Sequence, residues 1–343
     1  MAKKTTSAVA ASIDPNLAPF ARRVDDLAKL SPQAAEIAAF YRAVIPLLRA
    51  TTQHIERLEL GASYIQAQLV MERPILADAD LPIDIDLHTK LFVALCRVVE
   101  NLTPPTPSAS TETKANKSLF SNLFKRGKPD IAQLMQHIAA GDESSLRRAA
   151  ATQIRLAVEN GQLDLMAVFG TLLTGNQAAI AENANALKLD WQMLAMLAEN
   201  SLRPAFRAWA NELSDIDTTG WHSGMCPICG SLPIFSEIAG KESERKLRCG
   251  MCGFGWRYPR LVCMSCGCDD HHQLGRISGE GMDAEKYFAQ TCNRCKAYNK
   301  FIANFDPLAV ELLQVEDLLC GHFDVEARRL GYTRSKNQIA FDV

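Results

Sequence analysis

The segment CGMCGFGWRYPRLVCMSCG at residues 249–267 contains two pairs of cysteines, each with two residues between its members. Two further pairs flank it, so eight of the eleven cysteines belong to CxxC pairs. This spacing directs both sulfurs of a pair at one ion, and two pairs supply the four soft ligands that zinc or iron prefers. The pattern predicts two metal sites formed by Cys226, Cys229, Cys249, Cys252, Cys263, Cys266, Cys292 and Cys295.

Disulfides and redox-active dithiols are the alternatives to metal ligation. Residues 1–23 include Lys3 and Lys4 and lack the continuous apolar core of a secretory signal, which favours a reducing, cytoplasmic location over one where disulfides persist. A catalytic dithiol usually occurs once, beside a βαβ pattern. Four CxxC pairs in a stretch rich in glycine and aromatic residues therefore favour metal binding.

The length of the intervening loops bears on how the pairs combine. Joining Cys226/Cys229 with Cys249/Cys252 closes a gap of nineteen residues, and joining Cys263/Cys266 with Cys292/Cys295 closes one of twenty-five. Other combinations enclose longer segments, at a free-energy cost on the order of 1 kcal/mol. Sequential pairing is favoured, and zinc and iron stay equally compatible with the spacing.

Composition limits the class of protein. The 343 residues are 48% hydrophobic with a formal net charge of −2, and no apolar run is long enough to cross a bilayer. The chain can form two soluble domains, and we expect neither a membrane nor a nucleic acid as its partner.

The charge of the cysteine-rich region is a separate matter, because zinc ribbons often bind nucleic acid. Residues 245–300 contain ten Lys/Arg and five Asp/Glu. Eight thiolates and two divalent ions would reduce that positive surplus to about +1, since ligating thiols are deprotonated. We interpret Arg248, Arg257, Arg260, Arg294 and Lys296 first as partners of anionic metal centres, and a zinc-ribbon nucleic-acid binder remains an alternative.

Hydrophobic periodicity predicts helices over residues 24–214, after a flexible N-terminus at 1–23. Ser31 and Pro32 are typical of a helix start, and Pro46 should kink or break that helix. Asp130 and Asp190 are candidate N-caps of later helices. Residues 102–118 are rich in Pro, Ser, Thr and Lys and predict a linker.

From about residue 215 the pattern changes to short segments separated by glycine. Candidate strands lie at 232–237, 244–248, 254–261 and 298–304. The predicted fold class is α+β, with an N-terminal all-helical domain followed at 215–343 by a metal-binding domain. That domain should consist of two rubredoxin-like or zinc-ribbon β modules with a short C-terminal helical tail, and metal should supply much of its stability.

Three cysteines lie outside the pairs. Cys96 lies in an apolar run and is interpreted as a small core residue, and Cys320 receives no role. Cys268 precedes two aspartates, His271 and His272, so this loop offers an alternative ligand or a reactive thiol, or is a polar turn. Methionine and aromatic residues at helical spacing are interpreted as core, without a cofactor.

The chain lacks the common motifs of nucleotide-binding, metalloprotease and hydrolase chemistry: no P-loop, GxGxxG, HExxH or GxSxG is present. A closed four-sulfur site also leaves no position for substrate or activated water. We therefore expect no catalytic residues and no enzyme activity, although four-sulfur iron could still transfer electrons.

Several segments resemble the bacterial formate dehydrogenase accessory protein FdhE family. The resemblance spans most of the chain, and its specific segments follow residue 201. They are SLRPAFRAWANEL at 201–213, CPICGS at 226–231, RKLRCGMCGFGWRYPRLVCMSCG at 245–267, TCNRCKAY at 291–298 and VEDLLCGHFDVEARRLGYTR at 315–334.

The resemblance implies a cytoplasmic accessory or maturation factor required for the activity of respiratory formate dehydrogenase. Such a factor contacts the catalytic subunit and is not part of the final enzyme. The resemblance also implies two rubredoxin-like iron centres, with the eight paired cysteines as ligands and zinc as the alternative ion. A protein that transfers electrons or sulfur to the same client is the second reading.

Overall fold

The computed structural model describes residues 18–102, 143–240, 243–279 and 285–334. The helix expected after Asp130 lies outside these residues, as does the expected linker at 102–118 apart from Leu102.

The first two thirds of the described chain are helical. The helices are α1 (Ala18–Ala28), α2 (Pro32–Thr52), α3 (Ala62–Val70), α4 (Ile85–Glu100), α5 (Glu143–Glu159), α6 (Leu165–Leu173), α7 (Gln177–Ala186) and α8 (Trp191–Glu212).

Two helix starts predicted from the sequence are confirmed by their capping hydrogen bonds. The Ala34 amide donates to Ser31 Oγ at 3.0 Å, and the Met193 amide donates to Asp190 Oδ1 at 2.9 Å. Each cap satisfies one of the amides that a helix start leaves without a backbone partner. Pro46 does not break α2, which continues through it to Thr52.

The last third forms one mixed sheet. Its strands are β1 (Pro233–Ala239), β2 (Glu244–Cys249), β3 (Gly255–Arg257), β4 (Leu274–Ser278), β5 (Tyr287–Cys292), β6 (Ala297–Ala303) and β7 (Thr333–Arg334). Helices α9 (Leu313–Leu319) and α10 (His322–Arg329) follow β6. The α+β class and the C-terminal helical tail are confirmed.

Six of the seven described strands form two copies of one three-stranded module. Within each copy three strands pair antiparallel in sequence order, as β1–β2–β3 and as β4–β5–β6. The overall order is β3-β2-β1-β6-β5-β4, and β1 joins β6 in parallel with Ser236 opposite Phe301. The two modules predicted from the sequence are therefore present, but they share one continuous sheet.

Strands β4 and β5 are absent from the strands predicted from the sequence, and the strand predicted at 254–261 is shorter. Strand β3 ends at Arg257, because Pro259 has no amide hydrogen to continue a ladder. Strand β5 carries Tyr, Phe and Thr, which favour extended backbone and could have revealed it.

The chain divides into two compact units that are not sequential. Among the described residues, the first contains those within 18–45, 59–79 and 209–334, and the second contains those within 46–58 and 80–208. This division does not coincide with the boundaries expected at residues 23/24 and 214/215. The reason is that N-terminal segments pack within the unit that carries the sheet.

Helix α1 is the first of these segments. Its apolar side chains Phe20, Val24 and Leu27 are buried in one cluster with Leu312 and Val315, at the start of the C-terminal helices. Residues 18–23, which the sequence predicts to be flexible, are therefore the beginning of a packed helix. Burial of this apolar face supplies the free energy that orders it.

A buried polar network holds α1 to α9. Arg23 Nε lies 2.5 Å from Glu316 Oε1, and Arg23 also donates to the Tyr287 hydroxyl at 2.6 Å. Tyr287 in turn donates to Glu316 Oε2 at 2.8 Å. Burial and the adjacent carboxylate raise the pKa of Tyr287, so the phenol stays protonated and serves as a donor.

The second unit has a helical core built from α4 to α8. Its fully buried side chains are Phe92, Leu95, Ile154, Phe169, Leu194, Leu197 and Phe206. Cys96 is also fully buried, as expected for a core residue, and burial raises the pKa of its thiol to about 12. Among the described residues, no helix is long and apolar enough to span a membrane.

His88 is a buried histidine in this core. Its Nδ1 lies 2.7 Å from the Ser201 carbonyl oxygen, and its Nε2 has no hydrogen-bond partner among the described residues. Burial lowers the pKa of His88 below the ordinary value of 6.5, so the imidazole is neutral in the folded protein.

His88 should make this unit less stable in mild acid. Below about pH 6.5 the unfolded chain binds a proton that the folded chain excludes, so the free energy of unfolding falls as pH falls through that value. We expect His88→Gln to reduce this pH-dependent loss by about 1 kcal/mol. Urea unfolding monitored by circular dichroism at neutral and mildly acidic pH measures the difference.

The exposed His54, changed to Gln, is the matched control and should leave the pH dependence as in the wild type. Equal slopes for the His88 variant and the wild type would contradict the prediction.

Candidate metal centres

The eight paired cysteines form two separate clusters. Site 1 comprises Cys226, Cys229, Cys249 and Cys252, and site 2 comprises Cys263, Cys266, Cys292 and Cys295. Within each cluster the sulfurs lie within 4.8 Å of one another. This is the sequential grouping that loop closure favours.

The distances between sulfurs fit tetrahedral coordination. In site 1 the Cys226–Cys252 and Cys229–Cys249 sulfurs are 3.5 and 3.4 Å apart. In site 2 the Cys263–Cys295 and Cys266–Cys292 sulfurs are 3.7 and 3.8 Å apart. Bonds of about 2.3 Å from one ion to four sulfurs place neighbouring sulfurs about 3.8 Å apart, whereas a disulfide requires about 2.05 Å. The donor set therefore fits a zinc or iron ion.

Each CxxC pair forms a tight turn, called a knuckle here, and the four knuckles are numbered in chain order. All four have the same backbone conformation. The residue after the second cysteine has positive φ in each case, at 75° for Gly230, 80° for Gly253, 67° for Gly267 and 57° for Lys296. Its amide donates to the carbonyl oxygen of the first cysteine, at 2.9 to 3.2 Å. Glycine suits the left-handed conformation because it has no Cβ. The fourth knuckle adopts it with a lysine.

The strands place both sites at the same end of the sheet. In each module one knuckle precedes the first strand and the other connects the second strand to the third. Pro233 pairs with Cys249 in the first module, and Leu274 pairs with Cys292 in the second. Because β1 and β6 run parallel, the two modules point the same way and so do their knuckles.

Site 1 has further contacts that the sequence did not reveal. The Ile75 and Leu76 amides each donate at 2.9 Å to a carbonyl of the first knuckle, at Pro227 and Ile228. Both side chains are buried, with exposures of 0% and 1%. Nothing in the composition of this apolar segment indicates a role beside a metal site, because its contact uses backbone atoms.

Two of the arginines predicted to accompany the metal centres, Arg248 and Arg257, have other partners. Arg248 forms a buried ion pair with Glu237, and Arg257 pairs with Glu244 at the surface. The interpretation of these two as counter-charges is therefore corrected: carboxylates on neighbouring strands neutralise them first. Lys296 lies over the Tyr332 ring at 5.5 Å.

Arg245 is the buried cation that the sequence interpretation missed. It is 2% exposed, and its guanidinium donates to the carbonyls of Pro259 and Val262 at 2.7 and 2.8 Å. The rings of Tyr258 and Phe301 lie 5.1 and 4.7 Å from it. Burial lowers the pKa of Arg245 to about 10, which still leaves it charged at neutral pH. This side chain fixes the loop that leads into Cys263.

Thiol acidity in the clusters depends on burial and on backbone amides. At site 1 burial raises the pKa of Cys226 and Cys252 well above that of a free thiol. Burial acts in the same direction on Cys249, but hydrogen bonds from the neighbouring thiols lower its pKa. At site 2 burial acts the same way, but backbone amides of Cys295 and Arg294 lower the pKa of Cys292 to about 7. Four thiolates at site 1 thus require a cation to stabilise them.

The loop that follows Cys266, between the two cysteine pairs of site 2, carries further candidate ligands, and the structure keeps them apart. Cys268 is buried against Cys263 and Cys292, and its carbonyl accepts the Cys263 amide at 2.8 Å. Asp270, His271 and His272 instead form an exposed group whose donor atoms lie within 4.8 Å of one another. The structure therefore does not bring the Cys268 thiol to the histidines.

Comparisons with known proteins agree with this architecture. The family described as FdhE, central domain, matches residues 225–260, which span site 1. A crystal structure of the FdhE protein from Pseudomonas aeruginosa has the same fold, with a TM-score of 0.50, 19% identity and 94% of each chain covered.

Curated relatives match shorter stretches. The chain is 30% identical to a Haemophilus influenzae protein FdhE homolog over 112 residues, which is 32% of this chain and 36% of the relative. It is 28% identical to Escherichia coli protein FdhE over 154 residues, 44% of each chain. The chain thus aligns with less than half the length of either curated relative. The chain is therefore similar to FdhE proteins over these segments and shares their fold.

The cysteine knuckles provide a matched pair of glycines for testing backbone strain. A Cβ on Gly253 would lie 2.1 Å from Val310 Cγ2, whereas one on Gly267 would meet nothing within 4 Å. We expect Gly267→Ala to cost about 1 kcal/mol from its positive φ alone. Gly253→Ala should cost roughly 1–3 kcal/mol more, because Val310 must move.

Chemical unfolding of the two metal-loaded variants measures this difference. Equal stabilities would show that Val310 adapts freely and would contradict the packing described for site 1.

The buried Arg245 generates a second prediction for the sheet. Arg245→Met removes the donor to the Pro259 and Val262 carbonyls and should destabilise the sheet by roughly 3 kcal/mol. Arg257→Met is the matched control, because Arg257 is 68% exposed and its ion pair should contribute less than about 1 kcal/mol. Hydrogen exchange of residues 258–263, compared between the variants, would show whether the loop before Cys263 loosens. If residues 258–263 stayed as protected from hydrogen exchange in the Arg245 variant as in the wild type, Arg245 would not be what fixes this loop.

Proposed function

We propose that this chain is a cytoplasmic accessory protein that matures respiratory formate dehydrogenase and binds its catalytic subunit. Similarity to proteins of the FdhE family supports the link to that enzyme. The observation that carries the proposal is the pair of four-thiol clusters, aligned at one end of a single sheet. A four-sulfur site without an open position favours organising a binding surface over hydrolysis.

The eight paired cysteines are proposed as the ligands of one metal ion at each site. The spacing of the sulfurs suits iron and zinc equally. The resemblance to the FdhE family implies rubredoxin-like centres and therefore favours iron. When bound, the ion would hold four thiolates together and so connect each module's first knuckle to its second.

Electron or sulfur transfer to the client is the second candidate function. One observation favours it: Cys295 reaches solvent and Cys266 is half-buried, so site 2 lies near the surface. Four-sulfur iron can change oxidation state while keeping its ligands, and a short distance to the surface favours transfer. Protein that contains only zinc would exclude the electron-transfer version.

A zinc-ribbon nucleic-acid binder is a third reading. Arg245, Arg248 and Arg257 are engaged by carbonyls, aromatic rings or carboxylates within the fold, which reduces the charge they offer to phosphate. Salt-dependent retention on DNA or RNA, without client binding, would favour this reading over ours.

The metal proposal predicts two ions per chain in anaerobically purified protein. The double variant Cys249→Ser, Cys252→Ser should retain one ion and lose protease resistance in the unit that carries the sheet, because metal binding is coupled to folding. Cys96→Ala, which changes a buried thiol outside both clusters, should retain two ions. Elemental analysis and absorption spectra measure the content and distinguish iron from zinc.

The client proposal is tested with the same proteins. Immobilised formate dehydrogenase catalytic subunit should capture the metal-loaded wild type and the Cys96 variant, and should capture the double cysteine variant more weakly. Protein that holds two ions but does not bind this subunit would contradict the proposed client. A chain with far fewer than two ions and an intact sheet would contradict the metal centres.

A further inference from the structure

The two cysteine clusters differ in their access to solvent. At site 1 the exposed fraction is 0% for Cys226, Cys229 and Cys249 and 3% for Cys252. At site 2 Cys263 and Cys292 are buried, Cys266 is half-buried and Cys295 reaches solvent. An ion at site 1 would be enclosed, whereas one at site 2 would have two ligands near water.

Specific packing covers site 1. The Ile75 and Leu76 amides bind the carbonyls of its first knuckle, and Gln314 donates to the Gly250 carbonyl of its second at 2.9 Å. Val310 lies directly over Gly253. An incoming ligand could reach these sulfurs only after several contacts had opened.

Among the described residues, the knuckles of site 2 have less cover, although the Tyr332 hydroxyl and the Thr333 amide bind the fourth knuckle at Asn293 and Lys296. A Cβ on Gly267 would meet no atom within 4 Å, and the side chain of Lys296 is exposed. The repeated module thus has one closed copy and one open copy, although the four knuckle turns are alike.

A further group of possible metal ligands lies on the turn that is hydrogen-bonded to the fourth knuckle of site 2. The Gln273 carbonyl accepts the amide of Asn293, inside the fourth knuckle, at 2.7 Å. That hydrogen bond attaches the turn carrying Asp270, His271 and His272 to the knuckle. The two imidazole rings are 3.9 Å apart between centroids, and all three side chains are exposed.

We propose that site 2 is where this protein takes up and releases its ion, with His271 and His272 as the first ligands an incoming ion meets, and that site 1 keeps its ion as a permanent part of the fold. The proposal rests on the metal centres proposed above. Imidazole binds the same divalent ions as thiolate, so an ion can be held by mixed nitrogen and sulfur ligands during exchange.

The exchange involves no oxidation or reduction. Each metal–sulfur bond that breaks at site 2 is replaced by a bond from the ion to an incoming donor, first an imidazole nitrogen and then a ligand from solution or from the partner. A thiolate that loses the ion takes up a proton from water, and the reverse occurs on loading.

The test uses the full-length chain loaded with zinc and an excess of the chromogenic chelator pyridylazoresorcinol. We expect two phases of about one equivalent each, with the fast phase about tenfold or more faster, because the chelator reaches site 1 only through local opening. Cys266→Ser should remove the fast phase and leave the slow one.

Labelling with N-ethylmaleimide during the same reaction identifies the sulfurs without relying on variants. Mass mapping should show Cys266 and Cys295 modified during the fast phase, while Cys226 and Cys229 stay protected. A single rate for both equivalents, or early labelling of site 1, would overturn the proposal.

The histidines are tested by the double variant His271→Ala, His272→Ala. It should still bind two zinc ions, but the fast phase and the reloading of site 2 should slow several-fold. His222→Ala is the matched control, because His222 is exposed and lies four residues before Cys226 of site 1. A fast phase unchanged by the double variant would remove the histidines from the proposal.

Failure of this inference differs from failure of the proposed function. Two zinc ions released at one rate would leave the metal centres intact and remove only the division between them. Fewer than two ions in the loaded protein would remove the metal centres themselves.

Discussion

Mutual repulsion among four sulfurs is the constraint on which this fold depends. In each cluster the thiols lie within 4.8 Å of one another, and three of the four at site 1 are fully buried. Four thiolates in such a space are unstable without a cation, and four protonated thiols would leave the knuckles without a shared bond. An ion at each site would therefore join the knuckle before β1 or β4 to the knuckle between the next two strands.

The parallel contact between β1 and β6 turns two small modules into one body. A three-stranded module has little apolar surface of its own, but the joined sheet presents Phe235, Tyr298 and Ile302 on one face. Helices α9 and α10 cover that face with Leu313 and Phe323. The same contact aligns both cysteine clusters, so metal binding and sheet packing reinforce each other.

The sequence predicted the local features well and the long-range ones poorly. Cysteine spacing and the caps at Ser31 and Asp190 are local patterns, and both appear in the structure. The docking of α1, the backbone contacts of Ile75 and Leu76 and the burial of Arg245 depend on residues far away in the chain. The sequence around a charged residue such as Arg245 does not show whether its side chain is buried and fixes a loop or lies at the surface.

These long-range contacts also indicate an order of assembly. Arg23 and Glu316 are separated by 293 positions in the sequence, so their pairing closes a very long loop. Glu316 and Tyr287 are brought together by α9 and β5, and β5 ends at Cys292 of site 2. The partners of Arg23 are thus in place only when the sheet has formed. Because metal binding holds the sheet's knuckles, we expect helix α1 to pack last, on a surface that the cysteine clusters have already organised.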